Sequence, residues 1–338
     1  MNITTVGLDL AKDVFQVHGA DAHGRGVVNK RLKRAQVAEY FAKFPPCLIG
    51  MEACAGAHFW ARKLAGFGHT VKLMAPQFVK PYVKRNKNDA RDAEAICEAV
   101  TRPSMRFVAV KTVDQQAVLA IHQGREGLVK QRTALANQIR GLLGEFGIVL
   151  PKGRRILEGR LPGILADGDN GLPGMMRPML TVLVAQLEQL SRHIAVLEAQ
   201  LLGWHRHNEA SRRLERIPGV GMLTATAAVA KIGNAAVYAN ARQFAASLGM
   251  VPRQASSGGK ERLLGISKQG DGALRRLLVH GARSVVRREA DPRSWLGQLL
   301  IRRPKNVAVV ALAQKNARTI WALLRYDRDY APQGVCHA

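Results

Sequence analysis

Acidic residues are scarce in this sequence. Its 338 residues include 25 Asp and Glu against 51 Lys and Arg, a formal net charge of +26. A long positive field on a folded chain attracts a polyanion, so nucleic acid is the expected partner. Aromatic residues are also few, at 5%, which is low for a protein that reads single strands mainly by base stacking. The four cysteines, Cys47, Cys54, Cys97 and Cys336, show neither CxxC pairing nor zinc spacing. A reduced, cytoplasmic protein without a disulfide framework is expected. Long apolar runs are missing: stretches such as Val307 to Ala313 fall well short of the ~20 residues that a membrane span requires. The opening Met1-Asn2-Ile3-Thr4-Thr5 lacks the basic start and apolar middle of a signal peptide. Hydrophobic residues are plentiful, at 47%, enough for a sizeable core spread over two or three domains.

The first hundred residues alternate strand and helix patterns. Ile3 to Asp9 reads as a buried strand, with Asp13 to His18 and Gly26 to Arg31 as hairpin partners. Cys47 to Glu52 and Thr70 to Met74 read as further strands; Gln36 to Phe44, Ala57 to Phe67, Pro76 to Val83 and Asp89 to Ala99 read as helices, with Asp89 a plausible cap. Three leading strands followed by alternating helices and strands imply a mixed α/β sheet. Thr112 to Phe146 is a long helix, and Val149 to Gly174, rich in Pro and Gly, reads as a hinge. Leu180, Leu183, Leu187, Leu190, Ile194, Leu197 and Leu201 then step by three and four, an a/d seam that predicts a coiled-coil helix and oligomers. The competing reading is one amphipathic helix packed within its own domain. From His207 the chain is richer in Arg and reads as helices separated by glycine-bearing turns.

Four acids stand at telling places. Asp9 closes the first strand in Gly7-Leu8-Asp9-Leu10-Ala11-Lys12, and Glu52 closes another in Gly50-Met51-Glu52. Asp89 and Asp92 lie on one face of a helix in Lys87-Asn88-Asp89-Ala90-Arg91-Asp92-Ala93. Such acids can converge at one sheet edge. Carboxylates brought together repel, and two hard cations ~3.5–4 Å apart, as used in phosphodiester cleavage, would neutralise them. Oxygen ligands without a His or Cys cluster point to Mg²⁺ or Mn²⁺ rather than zinc. Lys12, Lys84, Arg85, Lys87 and Arg91 flank the acids, where a phosphate backbone would lie. Singly, each acid has a structural explanation as a turn or helix cap.

These three motifs resemble those of the DEDD insertion-sequence transposases, bacterial proteins described as bridge-RNA-guided recombinases and related to the pilin-gene invertase. The resemblance implies an N-terminal domain with the RNase H fold of the resolvase RuvC, with Asp9, Glu52, Asp89 and Asp92 as metal ligands. It also implies a dimer or tetramer, and a guide RNA that supplies the target sequence alongside DNA.

Further motifs follow in the order of that family. Arg216-Ile217-Pro218-Gly219-Val220-Gly221 opens an apolar helix. A turn of this kind points backbone N–H groups outward toward phosphate. It resembles a helix-hairpin-helix element, with Gly219 and Gly221 at the DNA. Next come Val251-Pro252-Arg253, Ser256-Ser257-Gly258-Gly259-Lys260, Ile266-Ser267-Lys268-Gln269-Gly270 and Leu274-Arg275-Arg276. By resemblance, Ser257 occupies the place of a nucleophilic serine; Ser256 is its rival and Ser267 a weaker one. Arg253, Lys260, Lys268, Arg275 and Arg276 are expected to bind nucleic acid. Read without the resemblance, Ser-Ser-Gly-Gly-Lys is a flexible basic loop.

The expected architecture has three parts: an RNase H-like α/β catalytic domain over residues 1–150, a hinge and all-α coiled-coil connector over 151–206, and a mainly helical transposase domain over 207–338. The expected activity is excision and insertion of an insertion sequence by metal-assisted strand cleavage and exchange. It would take place in the bacterial cytoplasm, at the nucleoid. The alternatives are a structure-selective endonuclease using water, an actin-like-fold ATPase or sugar kinase, and a non-catalytic architectural protein. No second Gly-rich phosphate loop supports the kinase, and its fold sits poorly with so basic a chain.

Overall fold

Strand pairing near the N-terminus follows from the alternation along each strand. The computed structural model describes residues 3–83, 88–289 and 291–331. They divide into two compact units: residues up to 114 together with 232–239, and residues 115–231 together with those from 240 onward.

In the first unit, β1 (Thr5–Asp9), β2 (Val14–Ala20) and β3 (Gly26–Lys33) form an antiparallel meander. The chain continues through α1 (Arg34–Ala42), β4 (Leu48–Glu52), α2 (Ala57–Ala65), β5 (Thr70–Met74), α3 (Pro76–Val79), α4 (Asp89–Val100) and β6 (Phe107–Val108). All six strands join one sheet in the order β3-β2-β1-β4-β5-β6. β1 runs parallel to β4, and β4 parallel to β5. The N-terminal part is therefore a mixed α/β sheet, as the sequence pattern implies.

The two faces of this sheet are covered differently. Val6, Leu8, Ile49 and Met51 pack with Phe41 of α1 and with Trp60 and Leu64 of α2. The alternate residues face α4, and two of them are glycines. A Cβ on Gly7 would lie 2.0 Å from the Ala93 carbonyl oxygen, and one on Gly50 would lie 2.7 Å from Val100 Cβ. The α4 backbone thus rests directly on Gly7 of β1 and the Val100 side chain on Gly50 of β4, an approach only glycine permits. Gly7→Ala is expected to push α4 outward and destabilise the unit by about 1–3 kcal/mol. Because Asp89 and Asp92 ride on α4, the same shift should carry them away from the strand ends; thermal melting checks the stability loss.

The second unit begins with α5 (Val113–Gly144), α6 (Arg154–Ala166) and α7 (Met176–His207). Its leucine seam is closed within the chain. Leu180, Leu187 and Leu190 of α7 share a core with Leu135, Ile139 and Leu143 of α5 and with Leu157 and Leu161 of α6. Arg125 donates to Glu198 at 2.7 Å, and Arg132 to Ser191 at 3.5 Å, so α5 and α7 run antiparallel. The heptad pattern that predicted oligomers finds an intramolecular partner. The expected hinge over 149–174 also differs: it contains α6, a 13-residue helix with Pro162 inside it. Burial of Leu157 and Leu161 offsets the hydrogen bond that the proline removes.

The remainder of this unit comprises α8 (Glu209–Glu215), α9 (Met222–Ile232), α10 (Ala241–Ser247), β7 (Pro252–Gln254), β8 (Leu263–Ile266), α11 (Gly272–Val286), α12 (Trp295–Arg302) and α13 (Lys305–Tyr326). It is mainly helical, with β7 and β8 forming a separate two-stranded sheet. Ile232 falls in the segment assigned to the first unit.

Candidate metal centre and serine hairpin

Asp9 ends β1 and Glu52 ends β4, two neighbouring parallel strands. Each acid stands two residues beyond a glycine that faces α4, so alternation directs both side chains to the α4 side of the sheet. Asp89 and Asp92 occupy the first turn of α4. The helix dipole favours acids there, but capping does not explain Asp89. Asn88 is the cap, its side chain accepting from the Ala90 N–H at 3.0 Å. Carboxylate oxygens of Asp9, Asp89 and Asp92 lie within 4.8 Å of one another. An all-carboxylate set of this spacing suits a hard divalent cation. Glu52 is outside that trio, although it shares its surroundings with Asp9: burial, and then the charges of Glu52 and Asp9, push the Cys54 thiol up.

Sequence reading passed over Gly7 and Gly50, although the signal was there: a Gly-x-acid triplet occurs at the end of both strands. Of the flanking cations, Lys12 and Arg91 are exposed. Lys84, Arg85 and Lys87 lie outside the described residues, as does Cys336. Cys47 and Cys97 are buried and unpaired; burial pushes both thiols up to about 11, which makes them core residues rather than nucleophiles.

In the second unit, β7 and β8 present the Ser-Gly-Gly-Lys sequence at a hairpin tip. Ser257 pairs with Lys260, and the Lys260 N–H donates to the Ser257 carbonyl at 3.1 Å. Gly258 and Gly259 between them have φ of 56° and 76°, the pattern of a type I′ turn, which requires positive φ at both central residues. What reads as a flexible loop in the sequence is therefore a defined hairpin. It also separates the two serines. Both are exposed, but Ser256 Oγ accepts from the Arg262 N–H at 3.3 Å across the hairpin, whereas Ser257 stands at the tip. Arg253 and Lys260 are exposed on the same hairpin and Lys268 just beyond it.

Other expected contacts divide. Gly219 is packed inward: a Cβ on it would lie 2.9 Å from the Gly281 carbonyl oxygen of α11, and Asn316 of α13 donates to the Pro218 carbonyl at 2.8 Å. Gly221 has open space around it, and its carbonyl accepts from the Thr224 and Ala225 N–H groups, each at 2.9 Å, where α9 opens. Arg275 donates to the Leu248 carbonyl at 2.6 Å, closing the end of α10, and Arg276 pairs with Glu126. A buried serine with a basic partner lies elsewhere in this unit, Ser211 beside His205 at 2.8 Å with Glu215 on the far nitrogen at 2.9 Å. Ser211 is fully buried, so this trio joins α7 to α8.

Asp271 fixes the foot of the hairpin. Its backbone N–H donates to the Ser247 carbonyl, its carboxylate caps α11 through the Ala273 and Leu274 N–H groups, and Lys231 Nζ lies 2.9 Å away. Burial pushes this carboxyl up, but the charge and hydrogen bond of Lys231 with the two backbone donors outweigh it, leaving the group below its ordinary 3.8. A depressed carboxylate stabilises the fold above the unfolded value and loses that contribution as pH falls through the lower folded value. Asp271→Asn keeps the cap and loses the charge, whereas Asp271→Ala is expected to lose about 1 kcal/mol more. The deficit of the Asn variant should be complete at neutral pH and shrink only below pH 3.8, as thermal unfolding at several pH values would record.

Comparison with known proteins agrees over the whole length. Residues 6–148 match a transposase model for the DEDD proteins of IS110, and residues 211–295 match one described as transposase of the IS116/IS110/IS902 family. A protein named as a probable family 20 transposase from Pseudomonas aeruginosa is 52% identical over 98% of this chain and 100% of its own length. The transposase for insertion sequence element IS1111A of Coxiella burnetii is 46% identical over 97% of this chain and 92% of its own. That for IS1328 of Yersinia enterocolitica is 44% identical over 95% and 97%. Identity at this level, spanning both the carboxylate-bearing sheet and the serine hairpin, makes the chain a DNA transposase that belongs to the IS110 family of DEDD insertion-sequence transposases.

Proposed function

We propose that the chain excises and inserts its parent element by cleaving DNA at the carboxylate centre and holding the cut end on Ser257. The observation that carries this reading is the convergence of Asp9, Asp89 and Asp92 within 4.8 Å in a chain of charge +26. Asp9, Asp89 and Asp92, with Glu52 at the next strand end, would hold Mg²⁺ or Mn²⁺. Such an ion supplies positive charge to a phosphate, drawing electron density from phosphorus and easing departure of the leaving oxygen. The strand order β3-β2-β1-β4-β5, antiparallel then parallel, supports an RNase H-like reading of residues 1–150, with 151–206 as connector and 207–338 as the strand-transfer part.

The exposed place of Ser257 at the hairpin tip supports its part. Ser257 Oγ forms a bond to phosphorus, and the bridging P–O bond of the DNA breaks. The serine proton passes to solvent, and the departing DNA oxygen takes one up. Attack by the hydroxyl of a new strand reverses this and frees the serine, so the phosphodiester energy is conserved. The carboxylates and Ser257 belong to different compact units. The family resemblance implies a composite site, with the serine delivered by another protomer of a dimer or tetramer. In this reading an element-encoded guide RNA chooses the target by base pairing, and the excess positive charge serves RNA as well as DNA. Among the described residues no helix is long and apolar enough to cross a membrane, in keeping with action at cytoplasmic DNA.

The test is excision in cells. The gene is expressed with its native flanking DNA, and the circular junction is amplified across the joined ends. A junction from wild type, with none from Asp9→Asn or Ser257→Ala, supports the proposal; a junction from either variant overturns the role of that residue.

A further inference from the structure

We infer that Arg34, Phe59 and Lys63, backed by Trp60, form a surface on the α1–α2 side of the sheet that receives an unpaired DNA strand at the end where the strand-end acids stand, with one base stacked on Phe59 and phosphates on the two cations. This rests on the reading of that centre as the site of DNA cleavage.

Position comes first. Ala57 opens α2 just past Glu52, and Arg34 opens α1. Arg34 Nη1 donates to the Lys12 carbonyl at 3.4 Å, in the turn that follows Asp9. Its Nη2 lies 3.9 Å from where a Cβ on Gly56 would stand, in the loop that follows Glu52. One guanidinium thus touches the loops leaving both strand-end acids.

Chemistry comes next. Arg34 lies 5.5 Å from the Phe15 ring and 5.6 Å from that of Trp60; Lys63 lies 5.9 Å from Phe59 and 5.7 Å from Trp60. Among the described residues neither cation forms an ion pair. Aromatic faces orient a cation without neutralising it, so both charges remain available to phosphate. Phe59 is 47% exposed whereas Trp60, its neighbour, is 4% exposed. The Trp60 indole N–H is buried without a hydrogen-bond partner among the described residues, and its Cδ1 lies 3.9 Å from the same Gly56 position. A single exposed ring bordered by cations is small for a protein-docking patch. It matches the stacking platform and charged track of single-strand binding, and only an unpaired base offers its face to a ring. Ends that are cut and exchanged provide such bases.

The experiment measures binding of a short single-stranded DNA carrying 2-aminopurine to the full chain with Asp9→Asn in EDTA, so that cleavage plays no part. Phe59→Ala is expected to weaken binding about tenfold and abolish the change in 2-aminopurine emission, with duplex binding unchanged; Phe59→Trp should retain both. Lys63→Gln should lower the slope of log affinity against log salt by about one. Unchanged single-strand affinity in Phe59→Ala and Lys63→Gln overturns the inference. Tighter Phe59-dependent binding of RNA of the same sequence overturns the assignment to DNA. If Phe59→Ala weakens the strand while the native chain cleaves no DNA, the cleavage reading fails and the strand surface stands. Both side chains are exposed, so unchanged melting of the variants confirms that folding is intact.

Discussion

Replacing Asp9 by asparagine is expected to eliminate the circular junction, a fall of at least about a thousandfold, or about 4 kcal/mol of barrier. Asparagine has nearly the same shape, so β1 and its register with Gln16 and Met51 should persist. What disappears is one of three negative charges whose oxygens lie within 4.8 Å. Anions that close repel strongly, and a divalent cation would offset that repulsion. The same change therefore has a signature independent of activity. Millimolar Mg²⁺ should raise the melting temperature of the wild type, because a ligand that binds only the native state stabilises it. It should leave that of Asp9→Asn where it is. Glu52, standing outside the trio, should show a smaller loss of the Mg²⁺ effect when changed to Gln. A full junction from Asp9→Asn would leave the cluster without a part in cleavage.

The same contrast between charge and geometry explains what was legible in the sequence. Five of the six strands of the first unit were readable because alternation is local, with Val6 and Leu8 on one side and Thr5, Gly7 and Asp9 on the other; β6, two residues long, is too short to show any. The places of Asp9 and Glu52 were readable for the same reason, and those of Asp89 and Asp92 from their spacing of three on a helix. The separation of Glu52 from the other three was not, since it depends on how far α4 sinks onto Gly7 and Gly50. The seam on α7 announced a helix but not its partner. Leucines at a and d are satisfied equally by another chain or by α5 folding back, and the choice depends on α6 and its turns. Helix α6 itself was hidden by Pro162 and three nearby glycines, whose local propensities are overridden by the burial of Leu157 and Leu161. The β7–β8 hairpin was hidden because its residues are mostly exposed, leaving no apolar alternation to read.

That hairpin sets up the second large effect. Ser257→Ala is expected to abolish both the junction and any DNA-linked protein, because removing a nucleophile typically lowers a rate by about 10⁵–10⁶. Folding should be untouched: Ser257 contributes its backbone carbonyl to the turn, and the two positive-φ positions are Gly258 and Gly259. Ser256→Ala is the matching control. It removes the acceptor for the Arg262 N–H, an exposed contact worth about 0.5–1 kcal/mol at most, and should leave strand exchange in place. The discriminating readout is DNA that stays attached to the chain after denaturation. Wild type and Ser256→Ala should yield it and Ser257→Ala should not. Nicking by Ser257→Ala without attached DNA would instead identify water as the attacking group and make the enzyme an endonuclease of the resolvase kind. Attached DNA in Ser257→Ala would move the link to Ser256 or Ser267, and the double change Ser256→Ala with Ser257→Ala would separate those two.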